Sequence, residues 1–282
     1  MLTPEQLESE YNARAAIADH PQIFERWREE SGAARARLQV DADRRFGPAP
    51  AETLDFYPTA GRNAALLVFI HGGYWRSLDK QDFSFLAPTF VDAGVAVAMP
   101  NYGLAPATPI AEMVRQMLRA LAALYRDASQ LGIDRGRIVV AGHSAGAHLA
   151  AMMLAADWPR WSPDLPADLL HGAVCISGIY DLRPLVHAAF LQDDLRLDTR
   201  SAKFVSPVNY RPGLAMPLIT AVGADESAEF RRQNRLIRSA WPHCFRDDLP
   251  LPGRHHLASV EALGAASHPL FGATMRLLLG RS

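Results

Sequence analysis

Residues Val139 to Ala150 read Val-Val-Ala-Gly-His-Ser-Ala-Gly-Ala-His-Leu-Ala. A short apolar run, a turn and the start of an alanine-rich helix follow one another without a linker. This order restricts the chain to folds in which a buried strand feeds directly into a helix. The turn carries Gly-x-Ser-x-Gly as Gly142, Ser144 and Gly146, the pattern of a nucleophile elbow. Such a turn holds a hydroxyl out above the end of a sheet. Glycines two positions to either side let strand and helix pass without a Cβ clash. The five-residue pattern alone arises by chance roughly one time in ten in a chain of this composition. Its context carries the weight: Ile138–Ala141 predicts the strand, and Ala145–Ala156 predicts the helix, with Leu149, Met152, Met153 and Leu154 to bury.

The rest of the chain repeats that alternation. Ala64–Ile70 is a continuous apolar run, the signature of a strand covered on both faces, and it ends in His71-Gly72-Gly73-Tyr74-Trp75. Thr53–Pro58 alternates like an antiparallel strand. Val95–Met99, His171–Ser177, Leu218–Val222 and Cys244–Leu249 predict further strands. Between them, Ile110–Leu131 predicts an amphipathic helix with Met113, Met117, Leu121 and Leu124 on one face. Glu229–Trp241 predicts another, and Leu257–Leu279 largely a final one. Strands and helices alternating at this spacing imply an α/β class, a mostly parallel sheet with helices on both faces. No linker or internal repeat divides residues 1–282, so a single domain is expected.

Residues 1–46 are polar and lack the apolar surface to fold alone. Thr3-Pro4-Glu5-Gln6 predicts a helix start. A second helix is expected after His20-Pro21, ending near Ser31-Gly32, and a third up to Arg45. This extension is expected to cap the main domain, with Tyr11, Phe24 or Trp27 either roofing a pocket or serving as plain packing. Residues 182–212 predict an insertion of short helix and loop forming one wall of a pocket. The helical surfaces of 1–46 and 182–200 are places for a cover over the site or for a homodimer contact.

Bulk properties exclude several function classes. The 282 residues are 49% hydrophobic and 21% charged, with a net charge of −1, so no electrostatic footprint for nucleic acid or an anionic membrane is present. No apolar run approaches a membrane span and no apolar signal-peptide core follows the start, which predicts a cytoplasmic protein. Cys175 and Cys244 fall in predicted strands and read as small buried hydrophobes rather than a disulfide framework. Histidine spacing suggests no metal site, and no cofactor is expected.

Ligands of such sheets bind beyond the carboxyl ends of the strands, so the strand ends bear the chemistry. A serine hydroxyl needs a base, and the base needs an orienting carboxylate, in the chain order serine, acid, histidine. After Ser144, the loop Val222-Gly223-Ala224-Asp225-Glu226-Ser227 offers two carboxylates. Adjacent residues point different ways, so only one of Asp225 and Glu226 meets the histidine, and Glu226 is preferred. Gly253-Arg254-His255-His256-Leu257 offers two bases, of which His256, directly before the apolar start of a helix, is preferred over His255. Backbone N–H groups of Ala145 and of the glycine loop, Gly72 and Gly73 with Tyr74 as a further donor, are candidates for an oxyanion hole. His71 is expected to fix that loop, and His143 and His148 to serve packing or hydrogen bonding. Tyr74, Trp75, Tyr102 and Tyr180 lie near the strand ends as candidate pocket walls, Tyr74 and Trp75 foremost.

These features resemble the α/β-hydrolase superfamily, in the branch of hormone-sensitive-lipase-like esterases. Within it, His71-Gly72-Gly73-Tyr74-Trp75 together with Gly142-His143-Ser144-Ala145-Gly146 resembles the arylformamidase (kynurenine formamidase) group of serine hydrolases. Tyr11-Asn12-x-Arg14 is similar to the start of such proteins, and Ser227-Ala228-Glu229-Phe230-Arg231-Arg232-Gln233 to the run after their acid. That run selects Glu226, a departure from the aspartate more usual there. His256, Leu257 and Glu261 match the family's pattern around its histidine. The resemblance implies a hydrolase acting through an acyl-enzyme on a small-molecule substrate with an aromatic or small acyl group. An N-formylkynurenine-like formamide is the first expectation, a small-acyl carboxylic ester the second, and a non-catalytic ligand-binding member of the fold the third.

Overall fold

The computed structural model describes residues 3–280. In chain order, α1 (Pro4–Tyr11), α2 (Ala13–Ala16) and α3 (His20–Arg37) precede β1 (Asp41–Arg45), β2 (Thr53–Tyr57) and β3 (Ala64–Ile70). Then come α4 (Ala87–Asp92), β4 (Ala96–Pro100), α5 (Ile110–Arg126), α6 (Ala128–Leu131) and β5 (Ile133–His143). The elbow helix α7 (Ala145–Leu154), α8 (Trp158–Trp161) and β6 (Gly172–Ile176) follow. Short helices α9 (Ala189–Leu195) and α10 (Thr199–Phe204) lead to β7 (Leu218–Gly223), α11 (Ala228–Ala240), β8 (Phe245–Leu251), α12 (His256–Gly264) and α13 (Pro269–Leu278).

The eight strands form one sheet in the order β1-β2-β4-β3-β5-β6-β7-β8. β1 pairs antiparallel with β2, and β2 with β4, whereas every pairing from β4 to β8 is parallel. The apolar run of β3 is buried throughout because both faces of the sheet are covered. Leu66, Val68 and Ile70 face one core, packed under α5 and α7, and Ala65, Leu67 and Phe69 face the other, under α3, α12 and α13. Such strands carry no polar face, which is why the run does not alternate.

The N-terminal extension departs from the expected three helices. α3 continues through Gly32 to Arg37. Glycine inside a helix costs about 1 kcal/mol, and the burial of Ile23, Trp27 and Ala34 on one face outweighs it. The segment up to Arg45 is not a helix but the edge strand β1, with Arg44 paired to Leu54. The buried carboxylate of Asp55 draws it in, accepting from Asp43 N at 3.0 Å. The ammonium of the buried Lys80 lies 2.7 Å from Asp43 and 2.9 Å from Asp55. The single final helix is likewise two, α12 and α13, because Pro269 starts a new helix with His268 as its N-cap. Residues 182–212 form short helices and loop.

Candidate active site

Five strand ends, those of β3, β5, β6, β7 and β8, converge here. At the end of β5, Ser144 adopts φ 56°, ψ −117°, a sparsely populated positive-φ backbone that costs an L-residue on the order of 1–3 kcal/mol. Close packing on both sides enforces it. A Cβ on Gly142 would lie 2.2 Å from Gly146 O, and one on Gly146 would lie 2.0 Å from Ile70 O. Only glycine fits at either position, so strand and helix cross at contact distance and the serine is pushed out above the sheet. Ser144 N donates to Ile176 O at 2.9 Å, which ties the turn to β6.

The Ser144 hydroxyl lies 3.0 Å from His256 Nε2, and His256 Nδ1–H donates to Glu226 Oε2 at 2.7 Å. All three residues are buried, with Ser144 3% and His256 and Glu226 each 6% exposed. The ambiguity between neighbours is resolved by local turns. Glu226 N donates to Gly223 O and Asp225 N to Arg254 O, which folds the Glu226 carboxylate back over the β7 end and leaves Asp225 exposed. His255 is the N-cap of α12, its ring accepting from Ala258 N at 3.2 Å, so His256 is the first helical residue and faces inward.

Glu226 has a full set of partners. Its second oxygen, Oε1, accepts from Gly223 N at 2.7 Å and from Ser259 Oγ at 2.9 Å, and Ser177 Oγ donates to it as well. Burial pushes this carboxyl up, but the attraction of His256 and these hydrogen bonds outweigh it, so its pKa lies below the ordinary carboxylate value. Ser177, Ser259 and Phe230, whose ring centroid is 4.3 Å from that of His256, escaped the sequence reading. Two of them carry a usable signal. Ser177 stands directly after β6, and Ser259 lies three residues beyond His256, on the same helical face.

The glycine loop approaches from the other side. A Cβ on Gly72 would lie 2.9 Å from His143 O and 3.3 Å from Ser144 Cβ. Gly73, Tyr74 and Trp75 are all left-handed, at φ 111°, 50° and 56°. Arg76 N and Ser77 N donate to Gly73 O at 3.1 and 3.0 Å and close this turn. Among the described residues, no protein acceptor takes the N–H groups of Gly72, Gly73, Tyr74 or Ala145. His71 supports the loop from below. Its ring stacks on Tyr102 at 4.3 Å and its nitrogens lie 2.8 Å from Gly72 O and 2.9 Å from Asn101 Oδ1.

Two flanking histidines are held neutral. His143 Nε2–H donates to His256 O at 2.9 Å, and burial, followed by the nearby His256, holds its pKa down to about 3. His148 Nε2–H donates to Val205 O at 2.6 Å while its Nδ1 accepts from the Trp75 indole at 3.2 Å, and burial holds its pKa down to about 4. This corrects the expectation for Trp75. It has no exposed surface and its indole N–H is engaged by His148, so it braces the loop instead of lining a pocket. Tyr102 and Tyr180 are enclosed too, Tyr102 by its stack on His71 and Tyr180 by the notch at Gly178, where a Cβ would meet its hydroxyl at 2.4 Å. Of the four aromatics, only Tyr74 remains partly exposed.

Comparison with known proteins places the chain among relatives of known family and fold. The BD-FAE family model matches residues 54–157, from β2 through the elbow helix. A kynurenine formamidase of Salmo salar is 31% identical over 241 residues, covering 83% of this chain and 78% of the relative. A solved protein of Silicibacter sp. tm1040, provisionally named a thioesterase, superposes with a TM-score of 0.86 at 30% identity, covering 96% of this chain and 99% of the other. Esterase B of Lactobacillus rhamnosis, 18% identical with a TM-score of 0.71 over 94% of each chain, shares the fold. With that identity and coverage, and with the strand order and elbow described above, the chain belongs to the kynurenine formamidase family of α/β-hydrolases.

Proposed function

We propose that this protein hydrolyses an aryl formamide of the N-formylkynurenine type through a formyl-enzyme on Ser144, and that residues 1–282 act as one domain in doing so. Ser144 Oγ attacks the formyl carbon while its proton passes to His256 Nε2. The carbonyl electron pair moves onto oxygen, where the N–H groups of Gly72, Gly73 and Ala145 hold it, each donor contributing about 3 kcal/mol in the transition state. Collapse breaks the C–N bond, and the arylamine leaves with the proton from His256. A water then gives its proton to His256 and attacks the formyl ester, and formic acid departs as that proton returns to Ser144 Oγ, ionising to formate in solvent. Glu226 stays ionised throughout, keeps the His256 proton on Nδ1 before attack and stabilises the imidazolium afterwards.

The observation that carries this reading is the unbroken chain Ser144–His256–Glu226, at 3.0 and 2.7 Å, beside a loop whose N–H groups have no protein acceptor among the described residues. The choice of formamide rests on the kynurenine formamidase relative. The esterase of the same fold favours a second reading, a small-acyl carboxylesterase, with the same residues in the same roles. Steady-state turnover of N-formylkynurenine against a short-chain aryl ester separates the two. The formamide is expected to give the higher kcat/KM, and an ester preference of orders of magnitude would exclude the first reading.

A further inference from the structure

The segment containing Tyr11-Asn12-x-Arg14 takes no part in the steps above, yet the two loops that flank Ser144 both attach to it. Tyr11 is fully buried at the end of α1, 6.1 Å from Phe230 between ring centroids. Its hydroxyl donates to Glu229 Oε2 at 2.7 Å and accepts from Gln233 Nε2 at 3.0 Å. Arg232 holds the same Glu229 carboxylate with two hydrogen bonds of 2.8 Å. Tyr11 is therefore anchored to α11, the helix that begins two residues after Glu226 and presents Phe230 to His256.

From this anchor the chain reaches in two directions. Toward the acid, Ser227 Oγ donates to Glu10 O at 2.6 Å and the Glu10 carboxylate accepts from Glu229 N at 2.9 Å. Toward the glycine loop, the Tyr74 hydroxyl donates to Tyr11 O. Arg14 donates to Ser77 Oγ at 3.1 Å, and that hydroxyl donates to Gly73 O at 3.0 Å. Tyr74 and Trp75 hold left-handed backbone, which relaxes unless its surroundings fix it. The bonds from Tyr74 and Ser77 to residues 11 and 14 are among the contacts that do so.

We propose that residues Glu10–Arg14 form a clasp that holds the glycine loop and the acid loop at a fixed separation across Ser144, with Tyr11 as its positioning residue. Tyr11 touches neither substrate nor reacting atoms. It acts by keeping the Gly72 and Gly73 N–H groups where the oxyanion forms and Glu226 where His256 needs it. A misplacement of about 1 Å in such a constellation costs on the order of a hundredfold in rate, so a partial loosening shows in kcat.

The proposal rests on the triad reading above, and the two fail differently: retained turnover by Ser144→Ala sinks the triad, whereas the clasp is tested with the triad intact. The chain of residues 1–282 is compared as wild type, Tyr11→Phe, Ser227→Ala and the double variant. Active sites are counted by stoichiometric phosphonylation with an aryl phosphonate, so that unfolded molecules do not enter the rate. Tyr11→Phe is expected to lower kcat per titrated site about tenfold with KM within about twofold, the mark of an interaction expressed in the transition state. The double variant is expected to lose less than the product of the two single losses, because both act through one segment. A lowered Tm with kcat per site unchanged, or independent losses that multiply, would overturn the clasp. If Tyr11→Phe yields no folded enzyme, Tyr74→Phe cuts only the glycine-loop arm and is read by the same kcat and KM criteria.

Discussion

The elbow at Ser144 and the N-terminal segment both shape the same site, but they are held by different forces. The elbow is fixed by backbone packing: Gly142, Gly146 and Gly72 bring main chain against main chain, with no space for a Cβ. The N-terminal segment is fixed by side-chain hydrogen bonds to partners far along the chain, such as Tyr11 to Glu229 and Gln233, or Trp27 Nε1 to Glu261 at 2.8 Å. Steric exclusion leaves a mark in the local sequence because only one residue type fits. A long-range hydrogen bond leaves almost none, because many residue pairs could make it. The site therefore has a part that the local chain dictates and a part that exists only once the whole chain has folded.

Among the long-range side-chain hydrogen bonds, the largest expected effect comes from the one between Glu226 and His256. Glu226→Gln removes the charge that orients His256 and is expected to lower kcat about ten-thousandfold, the size seen when a triad acid becomes an amide. Its exposed neighbour gives the contrast: Asp225→Asn is expected to change kcat by less than about twofold, since exposed substitutions away from such networks have small effects. Steady-state rates of the two variants measure both. An equal loss from each would remove the assignment of the acid.

A smaller effect comes from His148, which stands on the elbow helix and braces Trp75 behind the glycine loop. Its folded pKa of about 4 lies below the ordinary 6.5. Between those values the unfolded chain binds a proton that the native state refuses. Stability contributed by this group is therefore present above pH 6.5 and is lost as pH falls toward 4. The window is worth roughly 3 kcal/mol at 1.36 kcal/mol per pH unit. Denaturant titrations at pH 7 and pH 4 are expected to show that much less difference between the two conditions in His148→Gln than in wild type. A pH dependence unchanged by the substitution would mean that His148 is not held neutral by burial.

Two glycines sharpen the comparison most simply. Gly146→Ala places a methyl 2.0 Å from Ile70 O and is expected to destabilise the fold by about 3 kcal/mol, the upper range for overpacking. Gly32→Ala, in the middle of α3 with nothing within 4 Å of the new Cβ, is expected to stabilise it by about 1 kcal/mol. Urea midpoints give both signs. If Gly146→Ala proved neutral, the elbow would not be held by packing.

The same division explains what could be read in advance. The parallel sheet and the strand-turn-helix around Ser144 are legible in the apolar runs and glycine positions. Glu226 over Asp225 and His256 over His255 could be preferred from sequence, but their reasons are tertiary: a turn back onto Gly223 N for the acid, and a histidine N-cap before the base. Ser177 and Ser259 were missed because a serine near a strand end or on a helix face resembles any other until its partner carboxylate is placed. Trp75 was misassigned because an aromatic beside a glycine loop looks the same in sequence whether it faces substrate or His148. β1 was misread as a helix because its charged residues Asp41–Arg45 show no strand pattern. What pulls them into the sheet is the buried Asp55, ten residues past Arg45, and Lys80 beyond it.

The central claim is that the Ser144 hydroxyl carries the acyl group. Mass analysis of the peptide containing Ser144, after rapid acid quench of enzyme turning over N-formylkynurenine, tests it directly, with Ser144→Ala as the paired control. The account predicts a formyl ester on Ser144 in the wild type, and a loss of turnover in Ser144→Ala of about a millionfold, the scale on which a serine hydrolase depends on its nucleophile. Turnover by Ser144→Ala at the wild-type rate, or a formyl group on any other residue, would contradict it.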